Sequence, residues 1–128
     1  MKAPRVLAAT FAFVLVASCF SDRSAVLEPD DNPCAVPGSA IGRDNAVVLV
    51  RRFSFLPDTV RIQRGMSVTW VNCEASNIEP HTTTSVSNAW DSGPVAPGTT
   101  YTETFDAAGS FPYFCRPHPT MRGVVIVN

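Results

Sequence analysis

Short stretches of alternating apolar and polar residues, separated by turn residues, make up the chain from Ala46 onward. Val60 and Ile62 alternate with polar neighbours, and Val68 and Trp70 do the same after the next turn. A period of two is typical of β-strands with one buried face, because successive side chains point to opposite faces of a sheet. This pattern predicts an all-β domain.

Other segments of the same region have the composition of strands. They are residues 47–52, 82–87, 101–105, 111–115 and 123–127. Proline and glycine separate them, and no stretch after residue 45 has helical spacing. Many short strands at regular spacing predict a Greek-key β-sandwich or barrel. Glu103 falls on the same face as Tyr101 and Phe105, which predicts the rim of a sheet there.

A different pattern occupies the first 18 residues. Lys2 and Arg5 precede the apolar stretch 6–17, in which Thr10 is the only polar residue. The stretch is too short to cross a bilayer, which takes about 20 residues, but it has the length of the apolar region of a secretory signal. A buried core helix is the alternative, and the position behind a basic start disfavours it.

The end of this signal segment, residues 16–19 (VASC), resembles the lipobox of bacterial lipoproteins. The resemblance implies cleavage before Cys19 and lipidation of that residue, which would anchor the protein to a membrane. An ordinary signal peptide with a chance cysteine is the alternative. Residues 19–45 follow as a flexible tether that is rich in acidic residues and proline. The expected folded domain is 46–128.

Composition and charge limit the classes of function. The chain has 128 residues, of which 45% are apolar, and this size suits one globular domain. It contains 10 Lys and Arg residues against 11 Asp and Glu residues, and the formal net charge is −1. Nucleic-acid binding needs a basic surface that neutralises phosphates. We therefore expect no nucleic-acid partner.

The segment 115–121 (CRPHPTM) brings together a thiol, an imidazole and a thioether from Cys115, His118 and Met121. The other histidine of the chain, His81, lies upstream. Two His, one Cys and a weakly bound Met are the ligands of a blue-copper electron-transfer site. Soft sulfur favours Cu(I), and imidazole accepts both oxidation states. The segment therefore predicts a mononuclear copper site.

Taken one at a time, these residues have ordinary structural alternatives. A single histidine in a β protein is more often structural than a ligand, a methionine can fill a core, and Cys115 could be half of a disulfide or an inert buried thiol. Taken together they favour a metal site, because both histidines of the chain belong to the set. Pro117 and Pro119 stiffen the loop and remove backbone N–H donors that would compete for the thiolate.

With these residues the chain resembles the cupredoxins, and within them the plastocyanin and amicyanin group. The resemblance covers about residues 46–128 and rests on the segments 65–72 (GMSVTWVN), 80–82 (PHT), 91–93 (DSG), 111–115 (FPYFC) and 115–121. It implies one copper ion with the ligands His81, Cys115, His118 and Met121. It also implies that the backbone N–H of Thr82 donates to the sulfur of Cys115, a contact that tunes the reduction potential.

The resemblance further implies that His118 lies at an apolar surface, where its outer edge passes electrons to partner proteins. Two residues depart from the plastocyanin pattern. Thr82 stands where plastocyanins usually carry Asn, and Arg116 places a positive charge directly after the cysteine. Neither departure removes an expected ligand.

Two cysteines remain once Cys19 and Cys115 have been assigned. An exported protein lies in a compartment that permits disulfides. We therefore predict that Cys34 pairs with Cys73 and joins the end of the tether to the strand before the His81 loop. Two unpaired thiols are the alternative.

The sequence thus predicts a monomeric, lipid-anchored type 1 copper protein that carries electrons between redox-protein partners and is not an enzyme. It is expected on a membrane, facing the periplasm or the cell exterior. A copper storage or delivery protein of the cell envelope is the alternative, which the scarcity of methionine outside the motif disfavours. A multicopper enzyme would need further histidines for a second centre, and the chain has none.

Overall fold

The computed structural model describes Cys34 and residues 36–128. The predicted signal peptide (1–18), the lipidation site at Cys19 and residues 19–33 of the predicted tether lie outside the described residues. Within the part that is described, no helix is both long enough and apolar enough to cross a membrane.

Eight β-strands and one short 3₁₀ helix form the described chain, which contains no α-helix. The 3₁₀ helix is Gly38–Ala40, and the strands are β1 (Asn45–Arg51), β2 (Ser54–Leu56), β3 (Thr59–Ile62), β4 (Met66–Asn72), β5 (Thr84–Ser85), β6 (Thr100–Phe105), β7 (Gly109–Phe114) and β8 (Arg122–Val127). The prediction of an all-β domain is confirmed.

The strands form two four-stranded sheets, ordered β2-β1-β4-β6 and β3-β8-β7-β5. Strand β1 runs parallel to β4, and β3 runs parallel to β8, whereas the other neighbours are antiparallel. The chain changes sheet at every connection from β2 to β7, so consecutive strands within this stretch lie in opposite layers, whereas β1–β2 and β7–β8 are neighbours within one sheet. This arrangement is the expected β-sandwich.

One apolar core fills the space between the two sheets. In β3 the side chains of Val60 and Ile62 are buried and their neighbours are exposed, as the alternating pattern predicts. Near the centre, the Trp70 ring lies 5.3 Å from the Tyr113 ring and 5.9 Å from the Trp90 ring, measured between centroids. These aromatic contacts join the sheets, since Trp70 belongs to β4 and Tyr113 to β7.

The strand β2 was not expected from the sequence. It forms because a tight turn at Arg52 and Phe53 reverses the chain, with φ values of 52° and 55°. Turns with two positive φ angles normally use Asn, Asp or Gly, so the residues at this turn gave no hairpin signal. The predicted strand 82–87 is also shorter in the structure, where only Thr84–Ser85 is extended.

Glu103 lies on an edge strand, which confirms the predicted rim. Among the described strands, β6 is the last of its sheet and pairs with β4 alone. The hydroxyl of Tyr101 donates a hydrogen bond to the Glu103 carboxylate. The Glu103 carboxylate is therefore hydrogen-bonded at the open edge of the described sheet.

The end of the predicted tether lies against the first sheet. Ala40 is 4% exposed, and the Ser67 N–H donates to the Asp44 carbonyl at 2.9 Å. A disulfide bond joins Cys34 to Cys73, which directly follows β4. The Asp44 contact lies at the start of β4, whereas the disulfide joins Cys34 to the opposite end of that strand, from which the His81 loop leaves.

Gly123 is expected to tolerate no side chain, because the ring of Tyr113 lies directly over it. A Cβ at this position would lie 2.4 Å from Tyr113 Cζ, and Tyr113 is 1% exposed and cannot move aside. We expect Gly123→Ala to lower the free energy of unfolding by about 1–3 kcal/mol through overpacking, as measured by chemical denaturation. Gly42→Ala is the control, since no atom of the described residues lies within 4 Å of the added Cβ. Equal losses in both variants would contradict the overpacking.

Candidate metal centre

Three potential metal-binding side chains meet at one end of the sandwich. The Cys115 Sγ atom lies 3.5 Å from His81 Nδ1 and 3.7 Å from His118 Nδ1. The two Nδ1 atoms are 3.2 Å apart. The structure therefore brings these three predicted ligands together, with all three donor atoms within 4.8 Å of one another.

The pairing of β7 with β8 closes the loop that carries most of the predicted ligands. Phe114 pairs with Arg122 at the base of the loop. Within it, the Cys115 N–H donates to the Met121 carbonyl at 3.1 Å, and the Met121 N–H donates to the His118 carbonyl at 2.8 Å. Met121 is 3% exposed and belongs to the same buried core cluster as Cys115. The loop is thus fixed by its own backbone bonds.

His81 is held separately, in the connection between β4 and β5. Its backbone exchanges two hydrogen bonds with Val95, at 3.1 and 2.7 Å, and the residue is 1% exposed. Burial lowers the pKa of His81 below its ordinary value, although the carboxylate of Glu74 opposes the shift. The neutral imidazole that results keeps a nitrogen lone pair for a metal ion.

Thr82 connects the two parts of the site. Its backbone N–H donates to Cys115 Sγ at 3.4 Å, which is the contact that the resemblance implied. Its hydroxyl oxygen accepts a hydrogen bond from the Arg116 N–H at 2.9 Å. The sulfur therefore receives a donor from a distant loop, while Pro117, in the turn after it, offers none.

The positive charge of Arg116 is paired. Its guanidinium contacts the carboxylate of Asp91 at 2.5 Å. The same carboxylate accepts hydrogen bonds from the Thr84 hydroxyl at 3.2 Å and from the Gly93 N–H at 3.1 Å. The charge that departs from the plastocyanin pattern is therefore compensated beside the site.

Sequence reasoning missed three residues that contact the histidines. The ring of Phe53 packs edge-on against His81 and His118, with centroid distances of 5.4 and 4.9 Å. Glu74 lies 3.5 Å from His81 Nε2, and Glu79 lies 2.9 Å from His118 Nε2. The position of Glu79 two residues before His81 was a signal that it lies near the site, but it did not predict the contact with His118, which joins two loops 39 positions apart.

The donor set fits copper. In the part of the chain that the structure describes, one thiol and two imidazoles face each other without a carboxylate oxygen among them, which suits a soft or borderline metal ion. Two unprotonated Nδ1 lone pairs 3.2 Å apart would repel each other unless a cation or a proton lay between them. Zinc fits the set less well, because a thioether such as that of Met121 is not among its usual ligands.

Comparison with known proteins gives the same result. Residues 45–128 match the model of the copper-binding proteins of the plastocyanin/azurin family. Amicyanin of Paracoccus versutus is 35% identical over 98 residues, which cover 73% of this chain and 72% of amicyanin. Chloroplastic plastocyanin of Tetradesmus obliquus is 40% identical over 87 residues, which cover 58% of each protein.

The crystal structure of Paracoccus versutus amicyanin is also similar in fold. It aligns with a TM-score of 0.57 and 33% identity, over 70% of this chain and 87% of amicyanin. The family match covers well over half of the chain, and the His-Cys-His cluster lies within the matched residues. The chain therefore belongs to the plastocyanin/azurin family of copper-binding proteins, the cupredoxins.

Proposed function

We propose that this protein is an electron carrier that binds one type 1 copper ion through His81, Cys115, His118 and Met121. The observation that carries the proposal is the convergence of the Cys115 sulfur and the two Nδ1 atoms within 4.8 Å. Copper, when bound, supplies the one-electron Cu(I)/Cu(II) couple. Donors and acceptors of the electron would be other redox proteins, and the chain would carry out no substrate chemistry.

The protein contributes a site whose ligand positions would not need to rearrange when a bound copper ion changes oxidation state. Backbone bonds fix His81 to Val95 and Cys115 to Met121, so the ligand positions are set by the sandwich. Cys115 is fully buried and inaccessible to water. The His118 side chain is 20% exposed, which makes it the route by which electrons reach the surface. The burial of His81, Cys115 and Met121 opposes metal exchange, so the copper-delivery alternative is not favoured.

The test is to add Cu(II) to the purified chain and record the visible and electron paramagnetic resonance spectra. We expect one copper ion per chain, an intense thiolate-to-copper charge-transfer band and narrow copper hyperfine splitting. Repeated reduction and oxidation should return the band without loss of metal. A colourless protein would contradict the proposal, and release of copper on reduction would support a delivery function instead.

We further propose that the protein is exported and that lipid on Cys19 holds it at a membrane. The proposal rests on residues 16–19, which lie outside the described part of the chain, and the Cys34–Cys73 disulfide agrees with an oxidising compartment. We also propose that it acts as a monomer, since one chain supplies the whole donor set.

Replacement of the anchoring cysteine should release the protein. We expect Cys19→Ala to move the chain from the membrane fraction to the soluble fraction of cells, because the acyl chains are lost. The double variant Cys34→Ser/Cys73→Ser is the control and should stay with membranes. Retention of Cys19→Ala on membranes would count against lipidation.

A further inference from the structure

The outer edge of the His118 imidazole faces a carboxylate. His118 Nε2 lies 2.9 Å from Glu79 Oε1, while Nδ1, on the inner side of the ring, lies 3.7 Å from Cys115 Sγ. If Nδ1 binds the metal, the ring proton is on Nε2, which then donates to Glu79. The side chain of Glu79 is 64% exposed, so it covers the histidine from the solvent side.

The local chain geometry holds Glu79 at this place. Pro80 restricts the backbone between Glu79 and His81. His81 itself is fixed by its two backbone bonds to Val95, and a backbone hydrogen bond across residues 75–78 closes a turn just before Glu79. The carboxylate is therefore attached to a segment with fixed points on both sides.

His81 makes no comparable hydrogen bond to a carboxylate among the described residues. Glu74 Oε1 lies 3.5 Å from His81 Nε2, and that nitrogen has no hydrogen-bond partner among the described residues. The Glu74 oxygen instead accepts the Phe53 N–H at 2.7 Å. Of the two carboxylates, Glu79 therefore makes the shorter contact with an imidazole N–H.

We propose that Glu79 is a positioning residue of the copper centre, which orients the His118 ring and raises its basicity through the Nε2–H···Oε1 hydrogen bond. This inference rests on the proposed copper function. A more basic imidazole and a nearby negative charge both favour the more positive ion, so Glu79 strengthens binding of Cu(II) relative to Cu(I). The reduction potential of the protein is lower as a result.

The expected size of the shift in reduction potential follows from the contribution of such hydrogen-bond partners in other metal sites. Loss of the hydrogen-bond partner of a metal-bound histidine typically weakens metal binding by about 10–100-fold. Glu79 is mostly exposed, and solvent screens its charge. We therefore expect the lower end of the range, about tenfold, for the ratio of Cu(II) to Cu(I) affinity.

The experiment compares two substitutions of Glu79 in the full chain. Glu79→Ala removes both the acceptor and the charge, and should raise the reduction potential by about 59 mV, which corresponds to tenfold for a one-electron couple. Glu79→Gln keeps an acceptor oxygen and should give a smaller rise. Asp106→Asn is the matched control, because Asp106 is exposed and lies beyond the far end of β7, about 20 Å from Cys115.

A second readout tests the hydrogen bond directly. In the diamagnetic Cu(I) protein, the Nε2 proton of His118 should exchange with solvent more slowly in the wild type than in Glu79→Ala, as measured by nuclear magnetic resonance. Equal exchange rates, or a shift in reduction potential no larger than that of Asp106→Asn, would overturn the inference about Glu79. If the wild-type protein is blue in that case, the proposed function still stands. A wild-type chain that forms no blue centre would overturn the proposed function itself.

Discussion

Replacing Cys115 with Ser is expected to abolish the intense visible absorption of the copper-loaded protein and to weaken copper binding by at least about tenfold. The absorption arises from charge transfer from a thiolate to the metal ion. A serine hydroxyl stays protonated near neutral pH and is a harder donor, so it provides neither the transition nor the affinity for Cu(I). The Cys115 sulfur is fully buried beside both Nδ1 atoms, so we expect no other sulfur to replace it.

The double variant Cys34→Ser/Cys73→Ser is the matched control for this experiment. It removes two sulfur atoms that are bonded to each other and leaves the His-Cys-His cluster in place. Visible and electron paramagnetic resonance spectra of both variants, recorded with equal copper, should show the blue centre in the double variant alone. A blue band that survives Cys115→Ser would contradict the assignment of the thiolate ligand.

The strands that the sequence predicted well are those with one face against the core. In β3, Val60 and Ile62 alternate with exposed residues, and the burial of one face is what imposes that period. In β4 the residues from Val68 to Asn72 are all buried, and the buried hydroxyl of Thr69 is hydrogen-bonded to the side chains of Asn45 and Thr102. The alternation of polar and apolar residues in β4 predicted a strand, but it did not predict that the polar side chain of Thr69 is buried as well.

The donor atoms of the metal site could be predicted from the sequence because most of them lie close together along the chain. Cys115, His118 and Met121 lie on one closed loop, and His81 was the one further imidazole in the chain. The contacts around the donors were not predictable in the same way. Glu79 meets His118 across 39 positions of sequence, and Phe53 reaches the histidines only because a hairpin forms without the usual turn residues.

The same distinction applies to charge. From the sequence, Arg116 was a positive group next to a metal ligand. In the structure it pairs with Asp91, which also accepts bonds from Thr84 and Gly93. Nothing in the spacing of these residues indicated the pair, because β5 and the loop after β7 come together only when the second sheet forms.

Removing the Cys34–Cys73 disulfide is expected to lower the free energy of unfolding of the copper-free protein by about 3–4 kcal/mol. The bridge joins residues separated by 39 positions, so it restricts the unfolded chain far more than the folded one. In the folded protein Cys73 is 2% exposed, at the end of β4. Loss of the bridge should therefore lower the free energy of unfolding without moving the strands that hold the ligands.

Chemical denaturation of the copper-free double variant Cys34→Ser/Cys73→Ser, compared with the wild type, measures this loss. The copper-free protein is required because a metal bound to the folded state alone adds stability of its own. Reduction of the wild type before denaturation should reproduce most of the effect, since it opens the same bridge, whereas Cys115→Ser keeps the bridge and should not. If thiol reagents label Cys34 and Cys73 in the unfolded wild type without a reductant, the two residues are not bonded in solution. The bridge then cannot provide the expected stabilisation.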